Sequence, residues 1–231
     1  RPHQSCTLFP STTLFRSRND ADQKIGQLLR LKNLIDYVVI QRTNLDELPL
    51  FEAERSLQMD VYEQLKNELR QMPSPQFMTE SIEETYKQLE GSVVTFVSFD
   101  IDNFLKVNEN YGYDAGDKVI YRFYAIIRDC FNHILNGDSR NIFTRLGGDE
   151  FGLLIIGTPT EDIEAAANLV LAQTRIYNFA SVGGPDRVTS SCGIASSTKI
   201  AHPADLRHQS SKALISAKRQ GRDQVDMIAA K

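Results

Sequence analysis

The stretch FTRLGGDEFGLLI, residues 143–155, constrains the fold of this chain more than any other feature. Two glycines and two carboxylates interrupt an otherwise apolar strand pattern, and this arrangement is typical of a β-hairpin with its turn near residues 147–150. Glycine and acidic side chains weaken strands because they pack poorly on a pleated surface. The hairpin centre therefore indicates a binding function rather than a stabilising one.

Apolar periodicity around the hairpin predicts a mixed sheet. Val93 begins a β-branched and aromatic run that we interpret as a buried strand over residues 93–99. We expect Asp117 to cap or precede the first turn of the helix that follows. The remaining predicted elements are helices at 116–135, 160–177 and 205–219, the hairpin at 142–156, and strands at 188–195 and 225–228. The order β-α-β-β-α-β, with a further helix and strand, predicts an α+β, ferredoxin-like core with additions.

The part of the chain before residue 92 has a different pattern. Helices are predicted over residues 25–48, 52–71 and 79–90. The first has apolar residues spaced by three and four, so it could pair with a partner helix as a short coiled coil or pack on the protein's own core. Residues 1–17 lack periodicity and include TLFPSTTLFRS, which resembles a translated sequencing adapter. We interpret them as an assembly artefact, with a disordered native terminus as the alternative.

Composition limits the classes of partner. The 26 basic and 30 acidic side chains give a net charge of −4, which disfavours broad nucleic-acid binding but allows a local phosphate site. No apolar run approaches the roughly 18 residues of a membrane span, so we expect no membrane contact. Cys6, Cys130 and Cys192 show no disulfide or metal spacing, and none of the four histidines lies near another His or Cys, which disfavours a zinc site. A reducing, cytoplasmic location is the default expectation.

Four carboxylates follow or lie between predicted strands. Asp100 and Asp102 end the first strand, and Asp149 and Glu150 lie in the hairpin turn. The first strand and the hairpin are neighbours in a ferredoxin-like sheet, so these groups can converge. Clustered carboxylates repel one another unless a hard cation lies between them, and Mg²⁺ uses one or two carboxylates while keeping positions for phosphate oxygens.

The glycines of the hairpin fit the same interpretation. Gly147 and Gly148 lack the side chains that would keep a triphosphate from the backbone. Taken singly, an Asp ending a strand is usually a turn former and a glycine pair is usually an ordinary hairpin turn. Their occurrence together around one edge of one sheet favours a nucleotide polyphosphate with its metal.

Three motifs resemble a known family. RLGGDEF at 145–151, FDIDNFLKVNENYGYDAGD at 99–117 and ALISAKRQGRDQV at 213–225 are similar, in order and spacing, to the GGDEF domain of bacterial diguanylate cyclases. The resemblance covers roughly residues 92–228, with a weaker lead-in from Asp46. It implies a Mg²⁺ site, with Mn²⁺ as an alternative ion, formed by Asp100, the backbone carbonyl of Ile101 and Asp149. Glu150 would be a further metal or catalytic carboxylate, and Asp149 the proton acceptor for a 3′-hydroxyl.

The resemblance also implies which residues bind substrate. Asn108 and Asp117 match residues that hydrogen-bond guanine, and Tyr113 occupies a substrate-side position where His is common. Lys218 and Arg222 match the basic pair that meets the phosphates. The run AKRQGR independently supplies local cations for a triphosphate in an acidic protein. Alternatively, it is a solvated helix end whose charges favour the helix dipole.

Several positions depart from the family pattern. Leu105 replaces the usual phosphate-contacting Lys, although Lys106 is adjacent, and Ile215 and Asp223 replace the usual Tyr and Asn. Residues 46–57, DELPLFEAERSL, lack the Thr-Gly and Asn of the opening motif DxLTGLxNRR.

The inhibitory RxxD site would need Arg at 138 and Asp at 141, but Asp138 and Asn141 are present. Inhibition by product through that site is therefore expected to be absent.

These observations predict a magnesium-dependent cyclase that joins two GTP molecules into cyclic di-GMP as a homodimer. The alternative is a degenerate module that binds GTP or a partner without turnover. A cyclase of mixed specificity is disfavoured, because Asp117 can accept from both N1–H and N2–H₂ of guanine. We divide the chain into a non-native segment (1–17), a dimerisation or signalling helix (18–48), a helical lead-in (49–91) and the catalytic domain (92–231), and expect an upstream sensor domain to be missing.

Overall fold

The computed structural model describes residues 50–78, 80, 93–197 and 203–229. The adapter-like segment, the predicted helix at 25–48 and nearly all of the predicted helix at 79–90 lie outside these residues. The helix predicted at 52–71 is present as α1, Leu50–Arg70. From Met59 onward the chain forms one compact unit.

A five-stranded sheet forms the centre of this unit. The strands are β1 Val94–Ile101, β2 Ile142–Gly147, β3 Glu150–Ile156, β4 Ser190–Ser197 and β5 Val225–Ala229. They lie in the order β2-β3-β1-β4-β5, in which β1 is antiparallel to both neighbours and β5 is parallel to β4. The prediction of an α+β, ferredoxin-like core with one added strand is confirmed.

The helices of the core differ from the prediction at one place. They are α2 Phe104–Tyr111, α3 Tyr113–Leu135, α4 Thr160–Ile176 and α5 Pro203–Arg219, with a short 3₁₀ helix at Phe179–Val182. The sequence pattern missed α2, because Val107 is its one buried side chain and periodicity is weak. The prediction that Asp117 caps or precedes the first turn of α3 is wrong. Gly112, with φ 82°, separates α2 from α3, so α3 begins four residues before Asp117.

The two faces of the sheet have separate cores. On one face α3 and α4 cover Phe99 and Phe151, and Phe123 of α3 meets both rings edge to face. On the other face α5 lies so close to β4 that a β-carbon at Gly193 would stand 2.2 Å from the backbone oxygen of Ser210. This close approach fixes α5, and with it the basic residues at its C-terminal end, against the sheet.

The second half of α1 packs against α3. Leu65 is buried in the larger core cluster. Glu68 accepts a hydrogen bond from Tyr124, and its Oε2 lies 2.5 Å from Nη1 of Arg128. Within the described part of the chain, no helix combines the length and apolar composition needed to cross a bilayer.

Candidate active site

The strand register brings the predicted acidic residues to one edge of the sheet. Asp100 near the end of β1 pairs with Glu150 at the start of β3, and Asp149 lies in the tight turn between β2 and β3. Burial, followed by the negative charge of Asp100, raises the pKa of Asp149 to about 6. Burial also raises the pKa of Asp100 and of Glu150. The three carboxylates therefore repel one another in a partly desolvated place, and that is an arrangement a cation would relieve.

The hairpin turn leaves its backbone open. Gly148 has φ 51°, a left-handed conformation that favours glycine. A β-carbon at Gly147 or Gly148 would meet no heavy atom within 4 Å. Arg145 Nε donates a 2.8 Å hydrogen bond to the Gly148 carbonyl and so steadies the turn. Space beside this backbone is available to a ligand.

The predicted phosphate-side cations lie beside the acidic edge. Nζ of Lys218, in the last turn of α5, is 2.5 Å from Oδ1 of Asp100. The positive charge of Arg222, in the turn before β5, also acts on Asp100 and lowers its pKa, as does Lys218, although burial outweighs both. The structure thus brings the predicted metal ligands and the predicted phosphate cations together.

The predicted guanine-side residues meet at the corner between α2 and α3. A β-carbon at Gly116 would lie only 1.9 Å from Oδ1 of Asn108, so the Asn108 amide rests on α3 directly before Asp117. Tyr113 is 80% exposed at the start of α3. No hydrogen bond or ion pair joins this corner to the acidic edge within the described residues, so the structure forms two separate groups that a ligand would have to bridge.

The acidic edge fits a hard divalent cation in its donor chemistry. Asp100, Asp149, Glu150 and the carbonyl of Ile101 supply oxygen atoms alone, and Mg²⁺ needs only one or two carboxylates. In the described ranges, no group of three or more His, Cys, Asp or Glu side chains is arranged as a ready-made metal site. The ammonium of Lys218 already partners Asp100 on the same edge.

The surroundings of Asp102 differ from those that the sequence indicated. Asp102, grouped in the sequence with the converging carboxylates, is only 5% exposed. It accepts hydrogen bonds from Thr189 Oγ1 at 2.8 Å, from Ser191 Oγ at 2.7 Å and from the Asp223 amide at 3.1 Å. It therefore has a structural environment of its own. In the sequence this environment is indicated only by a Thr and a Ser near the start of β4, and such a pair is too common to be recognised.

Leu105, at the position where the family usually has Lys, and the adjacent Lys106 differ in their surroundings. Leu105 is 69% exposed, whereas Lys106 lines a cavity of about 470 Å³ together with Arg187, Asn110 and Thr189. The structure places the two neighbouring side chains in different surroundings.

Comparison with known proteins identifies the family of the chain. The family described as "Diguanylate cyclase, GGDEF domain" matches residues 66–224. Diguanylate cyclase DgcS of Shewanella oneidensis is 32% identical over 138 residues, covering 58% of this chain and 42% of that protein. Cyclic di-GMP phosphodiesterase PdeR of Escherichia coli is 28% identical over 158 residues, covering 66% and 22%. The chain therefore spans less than half the length of these relatives.

Solved structures share the fold. The active GGEEF domain of a diguanylate cyclase from Vibrio cholerae superposes with a TM-score of 0.56 at 22% identity, covering 67% of this chain and 93% of that one. The GGDEF domain of DgcB from Caulobacter crescentus, in complex with c-di-GMP, has a TM-score of 0.60 at 18% identity, with coverage of 68% and 91%.

Proposed function

The chain belongs to the GGDEF domain family of diguanylate cyclases, and on that premise we propose that it condenses two GTP molecules into cyclic di-GMP with loss of two pyrophosphates. The observation that carries this proposal is the register of β1 with β3, which sets Asp100 opposite Glu150 and beside Asp149. Lys218 flanks the same carboxylates. Acidic and basic groups at one sheet edge suit a metal-bound polyphosphate.

The acidic residues have two roles in this proposal. Asp100, the Ile101 carbonyl, Asp149 and Glu150 would hold Mg²⁺, or Mn²⁺ in its place. When bound, such an ion polarises a phosphate group and offsets its charge. Asp149 would accept the proton of the 3′-hydroxyl that attacks the α-phosphate of the other GTP. A pKa of about 6 leaves this carboxylate mostly ionised near neutral pH, yet basic enough to hold a proton.

Substrate would lie across the two groups of residues. Asn108 and Asp117 would hydrogen-bond guanine, with Tyr113 beside them at the surface. Lys218 and Arg222 would meet the phosphates, and the open backbone at Gly147 and Gly148 leaves room for them.

Two copies of the domain would be needed for turnover. Each would hold one GTP, and the two 3′-hydroxyls would attack across a two-fold axis, which makes the active form a homodimer. The segment 18–48 is our candidate for holding the two copies together, with 49–91 as lead-in and 92–231 as the catalytic domain. The free thiols Cys130 and Cys192 fit a reducing compartment, so we place the reaction in the cytoplasm.

Leu105 supports a second candidate function. Without a cation at that position, the domain could bind GTP as a regulatory module and release no product.

Incubation with GTP and Mg²⁺, followed by chromatography of the products, distinguishes the two functions. We expect cyclic di-GMP and pyrophosphate, a rate that rises more steeply than linearly with protein concentration, and poor use of ATP. GTP binding without product would favour the regulatory module, and absence of binding would contradict both functions. The Asp149→Asn variant serves as the inactive control.

A further inference from the structure

The turn between α5 and β5 has an unusual backbone that its surroundings hold in place. Gly221, Arg222 and Asp223 have φ values of 129°, 68° and 50°, so two consecutive non-glycine residues adopt the left-handed region. Such backbone persists only where neighbouring contacts determine it. Arg222 is the residue that we propose to meet phosphate, so these contacts bear on the site.

The first contact is made by the backbone of the turn. The amide of Asp223 donates a 3.1 Å hydrogen bond to Asp102, whose carboxylate is also held by Thr189 and Ser191. A buried carboxylate with three donors resists displacement, because moving it would leave its oxygens without hydrogen-bond donors. Asp102 thereby fastens the turn to the end of β1, two residues after Asp100.

The second contact comes from the side chain of Asp223. Its two oxygens accept hydrogen bonds from Arg175 in the last turn of α4, at 2.8 Å from Nε and 2.9 Å from Nη2. This bidentate geometry fixes both the position and the orientation of the carboxylate. The resemblance in sequence leads one to expect Asn at position 223, which offers a single acceptor oxygen, so the two-oxygen pair is a feature of this chain.

We infer that Asp102, Asp223 and Arg175 are positioning residues that hold the α5–β5 turn so that Arg222 and Lys218 face Asp100. This inference rests on the proposed function, because it assigns the turn a role in binding the GTP phosphates. Loss of a positioning residue should therefore weaken the binding of the β- and γ-phosphates by Lys218 and Arg222. Recognition of guanine at the α2–α3 corner should not change.

Arg175→Ala tests the inference without altering any residue of the turn. The matched control is Arg128→Ala, which breaks the Arg128–Glu68 pair between α3 and α1. The side chains are comparably exposed, at 39% and 26% for Arg175 and Asp223 and at 34% and 29% for Arg128 and Glu68. Affinities for GTP and for GMP are measured by calorimetry, and amide hydrogen exchange is followed at Asp223.

We expect Arg175→Ala to weaken GTP binding by about tenfold and GMP binding by less than about twofold, because roughly one charge-assisted contact would be lost. Asp223→Asn keeps one acceptor for Arg175 and should stay within about threefold of the wild type. Exchange at the Asp223 amide should accelerate in Arg175→Ala and not in Arg128→Ala.

Equal losses of GTP and GMP affinity, or equal changes in the two arginine variants, would overturn the inference. A wild-type chain that binds neither nucleotide would refute the proposed function, and the exchange of the Asp223 amide would then decide the positioning role. Unchanged exchange in Arg175→Ala would overturn it in that case.

Discussion

Nζ of Lys218 lies 2.5 Å from Oδ1 of Asp100, where the last turn of α5 meets the end of β1. Burial raises the pKa of Asp100 even though Lys218 acts to lower it, so the ion pair offsets only part of the cost of desolvating that carboxylate. The pair joins the proposed metal ligands to the proposed phosphate-binding residues. It orients Lys218 towards the site before any ligand arrives.

Loss of the Asp100 carboxylate should abolish turnover without unfolding the domain. Asp100→Asn keeps the shape of the side chain but removes the charge that would hold a cation and Lys218. We expect the rate of cyclic di-GMP formation to fall by at least about a hundredfold. Asp114→Asn, at an exposed position in the first turn of α3, is the control. Circular dichroism verifies folding, and a variant with wild-type turnover would remove Asp100 from the site.

The raised pKa of Asp149 predicts a particular dependence of stability on pH in metal-free buffer. The ordinary value of 3.8 rises to about 6 in the folded chain, so the folded state binds this proton more tightly than the unfolded state does. The contribution of Asp149 to the free energy of unfolding therefore falls as pH rises from about 4 to about 6, and is constant above that. The side chain of Asp149→Asn does not ionise, so this variant avoids the loss of stability.

The expected gain in stability for Asp149→Asn is about 1–3 kcal/mol at pH 7.5, shrinking towards zero near pH 4. Urea unfolding of both proteins in chelator, at the two pH values, measures this difference. A variant less stable than the wild type at pH 7.5 would contradict the raised pKa of Asp149.

Gly116 should be required for the position of Asn108. Alanine normally stabilises a helix relative to glycine by about 1 kcal/mol, but a β-carbon at residue 116 would stand 1.9 Å from the Asn108 oxygen. Gly116→Ala should therefore displace the Asn108 side chain and weaken GTP binding by about tenfold. In an Asn108→Ala background the same change should have no further effect on binding and should raise stability, which a double-mutant cycle measures. Additive losses of GTP affinity would contradict this contact.

Much of the sheet and of the acidic edge could be predicted from the sequence, because both depend on local pattern. The alternating and apolar runs define β1 and β3, and their register then sets Asp100 opposite Glu150. The Asp102 anchor could not be predicted, since its donors Thr189 and Ser191 lie nearly ninety residues away and carry no periodic signal. The start of α3 was misplaced because the break at Gly112 depends on a positive φ within a polar stretch.

A lysine at position 105 should improve GTP binding. Leu105 is largely exposed, so Leu105→Lys costs little stability and adds a cation where the family usually has one. We expect KM for GTP to fall by about three- to tenfold, with Leu105→Ala as the control that removes the side chain without adding charge. Lys106→Ala should leave KM within about twofold, because the cavity that Lys106 lines includes none of the residues proposed to bind GTP. If KM in Lys106→Ala rises by the same factor by which it falls in Leu105→Lys, then Lys106 already contacts the phosphates.

Cyclic di-GMP should inhibit this chain only by competing with GTP. At the position of the inhibitory RxxD motif, Asp138 presents a carboxylate whose pKa is lowered to about 2 by hydrogen bonds from Arg140, so it is ionised at neutral pH. The guanidinium of Arg140 is bound to that carboxylate through Nε at 2.9 Å and Nη2 at 2.5 Å. The phosphates of the product would meet a negative charge, while the guanidinium of Arg140 is already paired with Asp138.

Asn141 has a structural role at the second position of the motif. Its side-chain Nδ2 donates a 2.8 Å hydrogen bond to the carbonyl of Ile134, and its Oδ1 accepts a 2.9 Å hydrogen bond from the backbone amide of Ile156. The side chain therefore joins the end of α3 to β3. Initial rates at several GTP concentrations test the prediction, with cyclic di-GMP varied from well below to above the concentration that competes with GTP. We expect no inhibition at the low product levels, and at the high levels a rise in KM with an unchanged maximal rate. A falling maximal rate would reveal a second product site elsewhere on the domain, since neither Asp138 nor Asn141 supplies a cation to bind the product there.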